Sequence, residues 1–306
     1  MIEKHFSEKL LLGAIIISMF IWGLSWPSGK ILINYLSPVN FVICRYLLVV
    51  FTLFPILAVL KVPLKGNKQG VPYILSSGIL LAFYSFLFYN GLKHGLAGAG
   101  GVLVTTLNPI MAYSIGIALN RRWPSRNETT GLLLGLLAGC ILLKVWSQTG
   151  GLLDSGNLFF LAAAFTWAVM SKITSKASSF GSSLSFTLWQ YFITLLCILP
   201  FLNVHEFLSI FSISDKVFWL NLFFSSAIVT TLATTVYFYA TAKLGPEKAS
   251  SFIFLVPFAA ETSSWLFLKE SILINTVIGG IIGIAAVYLI NRKYFSRKTS
   301  FNPDSH

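Results

Sequence analysis

Two ionisable residues lie inside long apolar stretches of this chain, and their types suit them for chemistry. Glu261 lies in "LVPFAAETSSWLFLKE" (255–270), and it alone among ten acidic residues falls near the middle of a predicted helix. A charge at the centre of a bilayer costs about 2.5–3.5 kcal/mol, so such residues usually bind, pair or relay ions. Glu261 is predicted to bind a substrate ammonium group, to carry a coupling proton, or to pair with a buried base. A purely structural role between helices is the remaining alternative.

Arg45 is the second candidate, and it lies a few residues inside the predicted helix 39–60. From that depth its long side chain could reach toward the membrane surface. It could equally face the helix bundle and attract a carboxylate, either from a substrate or from Glu261. Gln190 occupies the matching position in the second half of the chain and keeps polarity without charge.

A polar stripe marks the predicted helix 217–241. Thr230, Thr234, Tyr237 and Thr241 recur at helical spacing, which places them on one face. Hydroxyls that bridge helices and hydroxyls that line a substrate cavity both explain such a stripe. Tyr84 holds the position in the third helix that matches Thr234, so a shared cavity wall is predicted.

Aromatic and proline residues complete the set of candidates. Trp22, Trp167 and Trp265 are predicted to line a pocket, although many aromatic residues must simply face lipid or its interface. Pro109 and Pro257 are predicted to kink two helices, because proline removes a backbone donor and frees a carbonyl one turn earlier. Pro257 precedes Glu261 by one turn, so we expect the acid to border an interior cavity beside the kink.

Other chemistry finds no support in the sequence. The three cysteines (Cys44, Cys140 and Cys197) are isolated, and the four histidines are scattered, so neither a metal site nor a cofactor is expected. The chain has no glycine-rich phosphate loop after a strand and no HExxH or comparable catalytic set. No catalytic residue is therefore predicted, and the chain is not expected to be an enzyme.

Composition indicates where these residues lie. The chain is 56% hydrophobic and only 10% charged, whereas soluble domains carry roughly 25% charged residues. A membrane helix needs about 20 mostly apolar residues. The sequence accordingly predicts an all-α polytopic membrane protein with ten transmembrane helices, at about 10–29, 39–60, 71–92, 97–119, 129–148, 157–176, 184–204, 217–241, 249–268 and 272–291.

The basic residues predict the orientation of these helices. Most of the 22 lysines and arginines fall on one set of alternate loops and the two ends, as in "KVPLKGNK" (61–68), "NRRWPSR" (120–126) and "NRKYFSRK" (291–298). Cytoplasmic loops carry such an excess, so both termini are predicted to be cytoplasmic. A net charge of +12 divided among short loops is not the single basic face of a nucleic-acid binder.

The second half of the chain repeats the first in order. Trp22 matches Trp167, Tyr46 matches Tyr191, "FYNGLKHG" (88–95) matches "FYATAKLG" (238–245), and Pro109 matches Pro257. With five helices in each half, the second half enters the membrane from the opposite side. The prediction is a 5+5 inverted repeat, as in many secondary transporters. Its parts are residues 1–148, residues 149–295 and a cytoplasmic tail at 296–306.

These halves resemble the two domains of the EamA branch of the drug/metabolite transporter superfamily. The motifs that carry the resemblance are "WGLSWPSGK" (22–30), "LNP" (107–109), "LVP" (255–257) and "LFLKES" (266–271). Similar proteins often carry an acidic residue after the fourth helix, where this chain has "LNRRWPSR" (119–126). Glu270 keeps that acid in the second half only.

The resemblance implies a secondary transporter in a cell inner membrane that exports small polar metabolites such as amino acids. Proton coupling through Glu261 is one hypothesis within this function. An importer or exchanger of a nucleoside-like or cofactor metabolite is the nearest alternative, and a channel or an intramembrane enzyme is the alternative of a different class. A small-molecule substrate and the lipid bilayer are the expected partners, nucleic acid is not, and monomer and homodimer both remain open.

Overall fold

The computed structural model describes residues 8–65, 67–119, 121, 123–146, 156–244, 249 and 252–297. Every regular element within these ranges is a helix. The predicted boundary between the two halves, at residue 148, lies outside the described residues. So does nearly all of the predicted tail at 296–306.

The first half of the chain forms five long helices. They are α1 (Glu8–Leu32), α2 (Pro38–Val59), α3 (Val71–His94), α4 (Ala97–Leu119) and α5 (Arg126–Leu142). The second half contains α6 (Asn157–Ala177), α7 (Ser183–Ile198), the short α8 (Val204–Ser209), α9 (Lys216–Phe223), a π-helix (Phe224–Thr234), α10 (Thr235–Leu244), α11 (Val256–Leu268) and α12 (Ile274–Arg297).

Seven helical segments in the described ranges are long and apolar enough to cross a membrane. They correspond to the first four predicted helices and to the sixth, seventh and eighth. The other three predicted spans fall on shorter helical segments: α5 has 17 residues, α11 has 13, and the apolar part of α12 runs from Ile274 to Ile290. In α11 the difference arises because a 3₁₀ segment, Phe252–Leu255, replaces its first turn.

The surface of the bundle is apolar, and its largely apolar interior also encloses polar side chains. Phe51 is 77% exposed and Leu136 is 66% exposed, whereas Gln190 and Thr194 are completely buried. Water would disfavour that outer surface, but lipid tails accept it, since the hydrophobic effect opposes contact between apolar groups and water only. The distribution is that of a membrane protein.

Small residues let the helices pack closely, as the glycine spacing indicates. α5 packs along α12, and a Cβ atom on Gly131 would lie 2.7 Å from the Ala286 carbonyl oxygen. α1 packs along α11, and a Cβ atom on Gly23 would lie 2.2 Å from the Ala259 Cβ. These contacts leave no room for larger side chains.

The prolines differ from one another in their setting. Pro109 lies inside α4, as predicted. Pro257 lies in the first turn of α11, directly after the 3₁₀ segment, so it marks the change from 3₁₀ to α geometry instead of lying in the interior of an α-helix. The first turn is where proline fits best, because its missing N–H would have no partner there.

The alternation of helices gives the bundle two ends, which are named here by one residue each. The Glu270 end carries residues 33–37, 95–96, 199–215 and 269–273. The Lys61 end carries residues 60–70, 123–125 and 178–182.

Candidate functional site

A cavity of about 90 Å³ lies near the middle of the bundle. α1, α2, α3, α4, α6, α7, the π-helix and the turn before α11 all contribute to its wall. Its apolar lining includes Trp26, Phe88 and Val104. The polar residues that line it are Ser25, Arg45, Tyr46, Tyr84, Ser85, Thr105, Asn108, Tyr191, Thr230 and Thr234.

Arg45 lines this cavity and provides its positive charge. Its Nε donates to Thr230 Oγ1 at 2.8 Å, and its two terminal nitrogens donate to Thr230 Oγ1 and to the Tyr89 hydroxyl. All these acceptors are neutral, and no carboxylate pairs with Arg45 anywhere in the described part of the chain. A guanidinium has five N–H donors, so some are left for another group. Arg45 therefore faces the bundle, and it does not pair with Glu261.

The π-helix brings two threonines to the cavity. Thr230 donates to the Ser225 carbonyl at 3.0 Å, and Thr234 donates to the Val229 carbonyl at 3.0 Å. Each bond reaches five residues back instead of the four of an α-helix. Because both hydroxyls donate to the backbone, their lone pairs are free to accept. Thr230 accepts from Arg45, and Thr234 accepts from Trp22 Nε1 at 3.1 Å.

Four aromatic side chains form an aromatic cluster at one side of the cavity: Trp22, Tyr84, Trp167 and Tyr237. The ring centroids of Trp22 and Trp167 are 5.7 Å apart, those of Tyr84 and Trp167 are 4.8 Å apart, and those of Trp22 and Tyr237 are 4.8 Å apart. Such distances are typical of packed aromatic pairs. Tyr237 is buried behind Trp22, while the other three line the cavity.

Glu261 lies away from the cavity, which corrects the expectation that it borders one. A Cβ atom on Gly98 would lie 2.5 Å from Glu261 Oε2, so the carboxylate is wedged against the first turn of α4. That oxygen is buried and has no hydrogen-bond partner among the described residues. Its charged neighbour is Glu270.

Carboxylates at the Glu270 end accept bonds from the starts of helices. Glu270 accepts from the backbone N–H groups of Ala97 and Gly98 at 3.0 and 2.9 Å. Glu206 accepts from the Ser37 hydroxyl at 2.7 Å, from the Ser37 N–H and from the Asn40 amide. The positive end of a helix favours such groups.

Lys30 and Asp215 make further hydrogen bonds at the Glu270 end. The Lys30 ammonium donates to the carbonyl of Gly95 at 2.8 Å and to that of Leu92, which joins α1 to the end of α3. Asp215 accepts from the Val217 N–H at 2.8 Å and from the Tyr35 hydroxyl. The bond from Tyr35 lowers the pKa of Asp215 below its ordinary value.

Two residues named from the sequence lie outside the site. Gln190 is fully buried between α7 and its neighbours, where its amide contacts Met170 Sδ at 3.4 Å and the Ser77 carbonyl at 3.5 Å. Trp265 is 53% exposed on α11 and belongs to the outer surface. Arg45, the predicted counterpart of Gln190 in the first half of the chain, lines the cavity, whereas Gln190 does not.

Sequence reasoning also missed residues that the structure brings to Arg45 or to the cavity wall. Tyr89 and Tyr191 are buried tyrosines in apolar helices, and Asn108 binds the Ala164 carbonyl at 3.2 Å on the cavity wall. Asn108 directly precedes Pro109, within the "LNP" motif. An amide inside an apolar helix was the signal that could have identified it, because buried polar groups need partners.

The comparison with protein families identifies the chain. The family model described as "EamA-like transporter family" matches residues 10–144 and again residues 154–292. The chain belongs to this family. The matched ranges include every helix that contributes to the cavity.

Relatives of this EamA-like chain are named as transporters. It is 25% identical to "Uncharacterized transporter YoaV" of Bacillus subtilis, over 95% of this chain and 99% of that one. It is 23% identical to a "Probable amino-acid metabolite efflux pump" of Salmonella typhimurium, over 88% of this chain and 90% of that one. A crystal structure with 14% sequence identity matches 94% of this chain and 97% of its own, with a TM-score of 0.63, and so shares the fold.

Family membership and the membrane-capable helices together establish the class of protein. This EamA-like protein is a multi-pass membrane protein of the transporter type and not an enzyme. Its family implies a small-molecule substrate and a lipid environment.

Proposed function

We propose that this chain is a secondary transporter that exports small metabolites bearing a carboxylate, such as amino acids, across the inner membrane. The observation that carries the proposal is the guanidinium of Arg45, which lines an interior cavity without a carboxylate partner in the described ranges. The name of the Salmonella relative, a probable amino-acid metabolite efflux pump, supports the substrate class and the direction.

Arg45 would bind the carboxylate of the substrate. The N–H groups that Thr230 and Tyr89 do not engage can make the paired, charge-assisted bonds that guanidinium and carboxylate form. Thr230 and Tyr89 would hold the guanidinium in place. The aromatic cluster, joined to the π-helix through Trp22 and Thr234, would contact the apolar part of the substrate.

The proposed architecture is ten transmembrane helices in two inverted five-helix repeats, residues 1–148 and 149–295, with both termini in the cytoplasm. Two successive matches to one family model support the duplication. Two pairs of repeat-related residues also meet beside the cavity: Trp22 with Trp167 at 5.7 Å, and Tyr46 with Tyr191 at 5.8 Å between ring centroids. An axis between the repeats would bring equivalent residues together in this way.

Alternating access would move the two repeats around this cavity. Pro109 in α4 and the 3₁₀ segment before Pro257 would give two matching helices places to bend. Glu261 is proposed to couple a proton to that motion. Its enclosed Oε2 lacks a donor within the described chain, so a charge there costs free energy. Protonation would remove both that cost and the repulsion from Glu270, and so would favour the conformation in which Glu261 is enclosed against the start of α4.

The function is tested by a metabolite profile. Cells that express the wild type, Arg45→Gln or an empty vector are compared by mass spectrometry of cells and medium, at equal membrane expression. We expect one class of carboxylates to accumulate in the medium with the wild type and to return to the vector level with Arg45→Gln. If the compound that moves has no carboxylate, such as a nucleoside, or if the variant exports equally, the assignment of Arg45 is wrong.

Coupling is tested separately with Glu261→Gln, and Glu206→Gln at the Glu270 end is the control. Transport of the identified compound into proteoliposomes is measured across a pH series. The wild type and the control should respond to an imposed pH gradient, and Glu261→Gln should not. A response that survives in Glu261→Gln would make this residue structural.

A further inference from the structure

A second, larger space lies beside the cavity and is separate from it. This lateral groove has a volume of about 640 Å³ and lies between α1, α2, the start of α7 and α10. The π-helix separates the two spaces: Thr230 and Thr234 face the cavity, while Thr231 and Leu232 line the groove. The groove opens at the Lys61 end, because its lining includes Lys61 and Gly181.

The lining of the groove suits a hydrocarbon chain. Leu11, Leu53, Leu57 and Leu184 contribute to it, together with further aliphatic side chains. The hydroxyl of Thr231 is engaged with Thr52 Oγ1 at 2.7 Å and so makes the wall less polar than its composition suggests. Water gains few hydrogen bonds in such a space, whereas an acyl chain from the surrounding bilayer fills it without loss.

Two lysines on different elements stand at the same end of the groove. Lys61 follows α2, is exposed and forms part of the lining. Lys243 is exposed near the end of α10, with its Nζ 5.6 Å from the ring centroid of Tyr239, which also lines the groove. None of the described lining residues is acidic. Basic pockets between membrane helices on the cytoplasmic side are recognised binding sites for anionic lipid head groups.

From the apolar groove and its two lysines we infer that the groove binds an anionic phospholipid. One acyl chain lies between α2 and α10, and the phosphate lies between Lys61 and Lys243. This ligand is distinct from the transported metabolite. The site lies across the π-helix from Arg45, so a lipid there would support the wall on which Thr230 is held.

Native mass spectrometry of the delipidated full chain tests the inference. Phosphatidylglycerol is added at increasing concentration, and phosphatidylcholine with the same acyl chains is added in parallel. Phosphatidylglycerol should bind as one molecule at lower concentration than phosphatidylcholine. Lys61→Gln and Lys243→Gln should each weaken its binding about fivefold. Lys93→Gln, an exposed lysine at the other end, should leave it unchanged.

Filling the groove gives an independent test of where the lipid lies. Leu232→Trp places a large ring in the groove, and Leu136→Trp places the same ring on the outer surface of α5. The first should reduce binding of both lipids, and the second should not. Leu60→Trp, directly after α2, repeats the test if Leu232→Trp fails to fold. Equal binding of the two lipids, insensitivity to both lysines, or binding that survives both groove variants would overturn the inference.

Discussion

The central cavity and the Glu270 end use charge in opposite ways. At the Glu270 end, Glu206, Asp215 and Glu270 accept hydrogen bonds from the starts of helices. In the cavity, Arg45 has only neutral hydroxyl partners within the described residues. A charge whose bonds are complete holds a structure together, and a charge with spare donors is ready for a ligand. Substitutions at the two places should therefore separate transport from stability.

The largest effect is expected from Arg45→Gln on transport. Removing one partner of a buried, hydrogen-bonded charge pair costs about 2–5 kcal/mol, so apparent affinity for the exported compound should fall roughly thirtyfold or more. Thermal stability should hold, since the variant removes a buried charge that lacks a countercharge. Transport kinetics in proteoliposomes and thermal unfolding in detergent measure the two effects. Arg45→Lys keeps the charge without the paired geometry and should recover only part of the affinity.

The opposite pattern is expected from Glu206→Ala at the Glu270 end. The Glu206 carboxylate accepts hydrogen bonds from the Ser37 N–H, the Ser37 hydroxyl and the Asn40 amide. The alanine variant removes this acceptor from all three donors. We expect the free energy of unfolding to fall by about 1–3 kcal/mol. Affinity for the substrate should not change. His205→Ala changes an exposed neighbouring residue and is the control. A Glu206→Ala protein that loses substrate affinity without losing stability would contradict the comparison.

The same contrast explains what the sequence could predict. The apolar helices and the helical class follow from residue type and period, which are local properties of one helix. Trp22 and Trp167 are predicted from residue type alone, and Tyr84 is predicted by matching the two halves of the chain. Glu261 is the first functional candidate in the sequence, ahead of Arg45, because it lies closer to the middle of its predicted helix. Depth along a helix does not indicate which of its faces points toward the cavity, and Glu261 lies against the start of α4 instead.

The π-helix shows a second limit. Thr230 and Thr234 have the spacing of an α-helical face, and the sequence accordingly predicts one stripe with Tyr237 and Thr241. Within Phe224–Thr234 the bonds instead reach five residues back, which changes the direction of each side chain. The two threonines accept hydrogen bonds from other helices, from Arg45 on α2 and from Trp22 on α1, and no local pattern contains these partners.

A smaller effect is expected from Trp22→Phe in the aromatic cluster. The substitution keeps a ring but removes the donor that binds Thr234 Oγ1. A typical hydrogen bond contributes about 0.5–1.5 kcal/mol, so apparent affinity should fall about two- to tenfold. Trp265→Phe, on the exposed face of α11, is the matched control and should transport normally. Equal losses in both would mean that the cluster has no special role.

The smallest effect is expected from Tyr35→Phe, which tests the Glu270 end through pH. The bond between Tyr35 and Asp215 lowers the pKa of the Asp215 carboxyl and raises the pKa of the Tyr35 hydroxyl. The lowered pKa means that the stabilisation is present at neutral pH and disappears as pH falls through the folded-state value. The raised pKa of the Tyr35 hydroxyl means that the same stabilisation also disappears as pH rises through the folded-state pKa of Tyr35. The melting temperatures of wild type and variant should thus differ near neutrality and converge in acid and in alkali.

Tyr73→Phe is the control, since its hydroxyl makes no hydrogen bond within the described chain. A difference that persists below the folded-state pKa of Asp215 would show that the tyrosine stabilises this end by packing and not by charge.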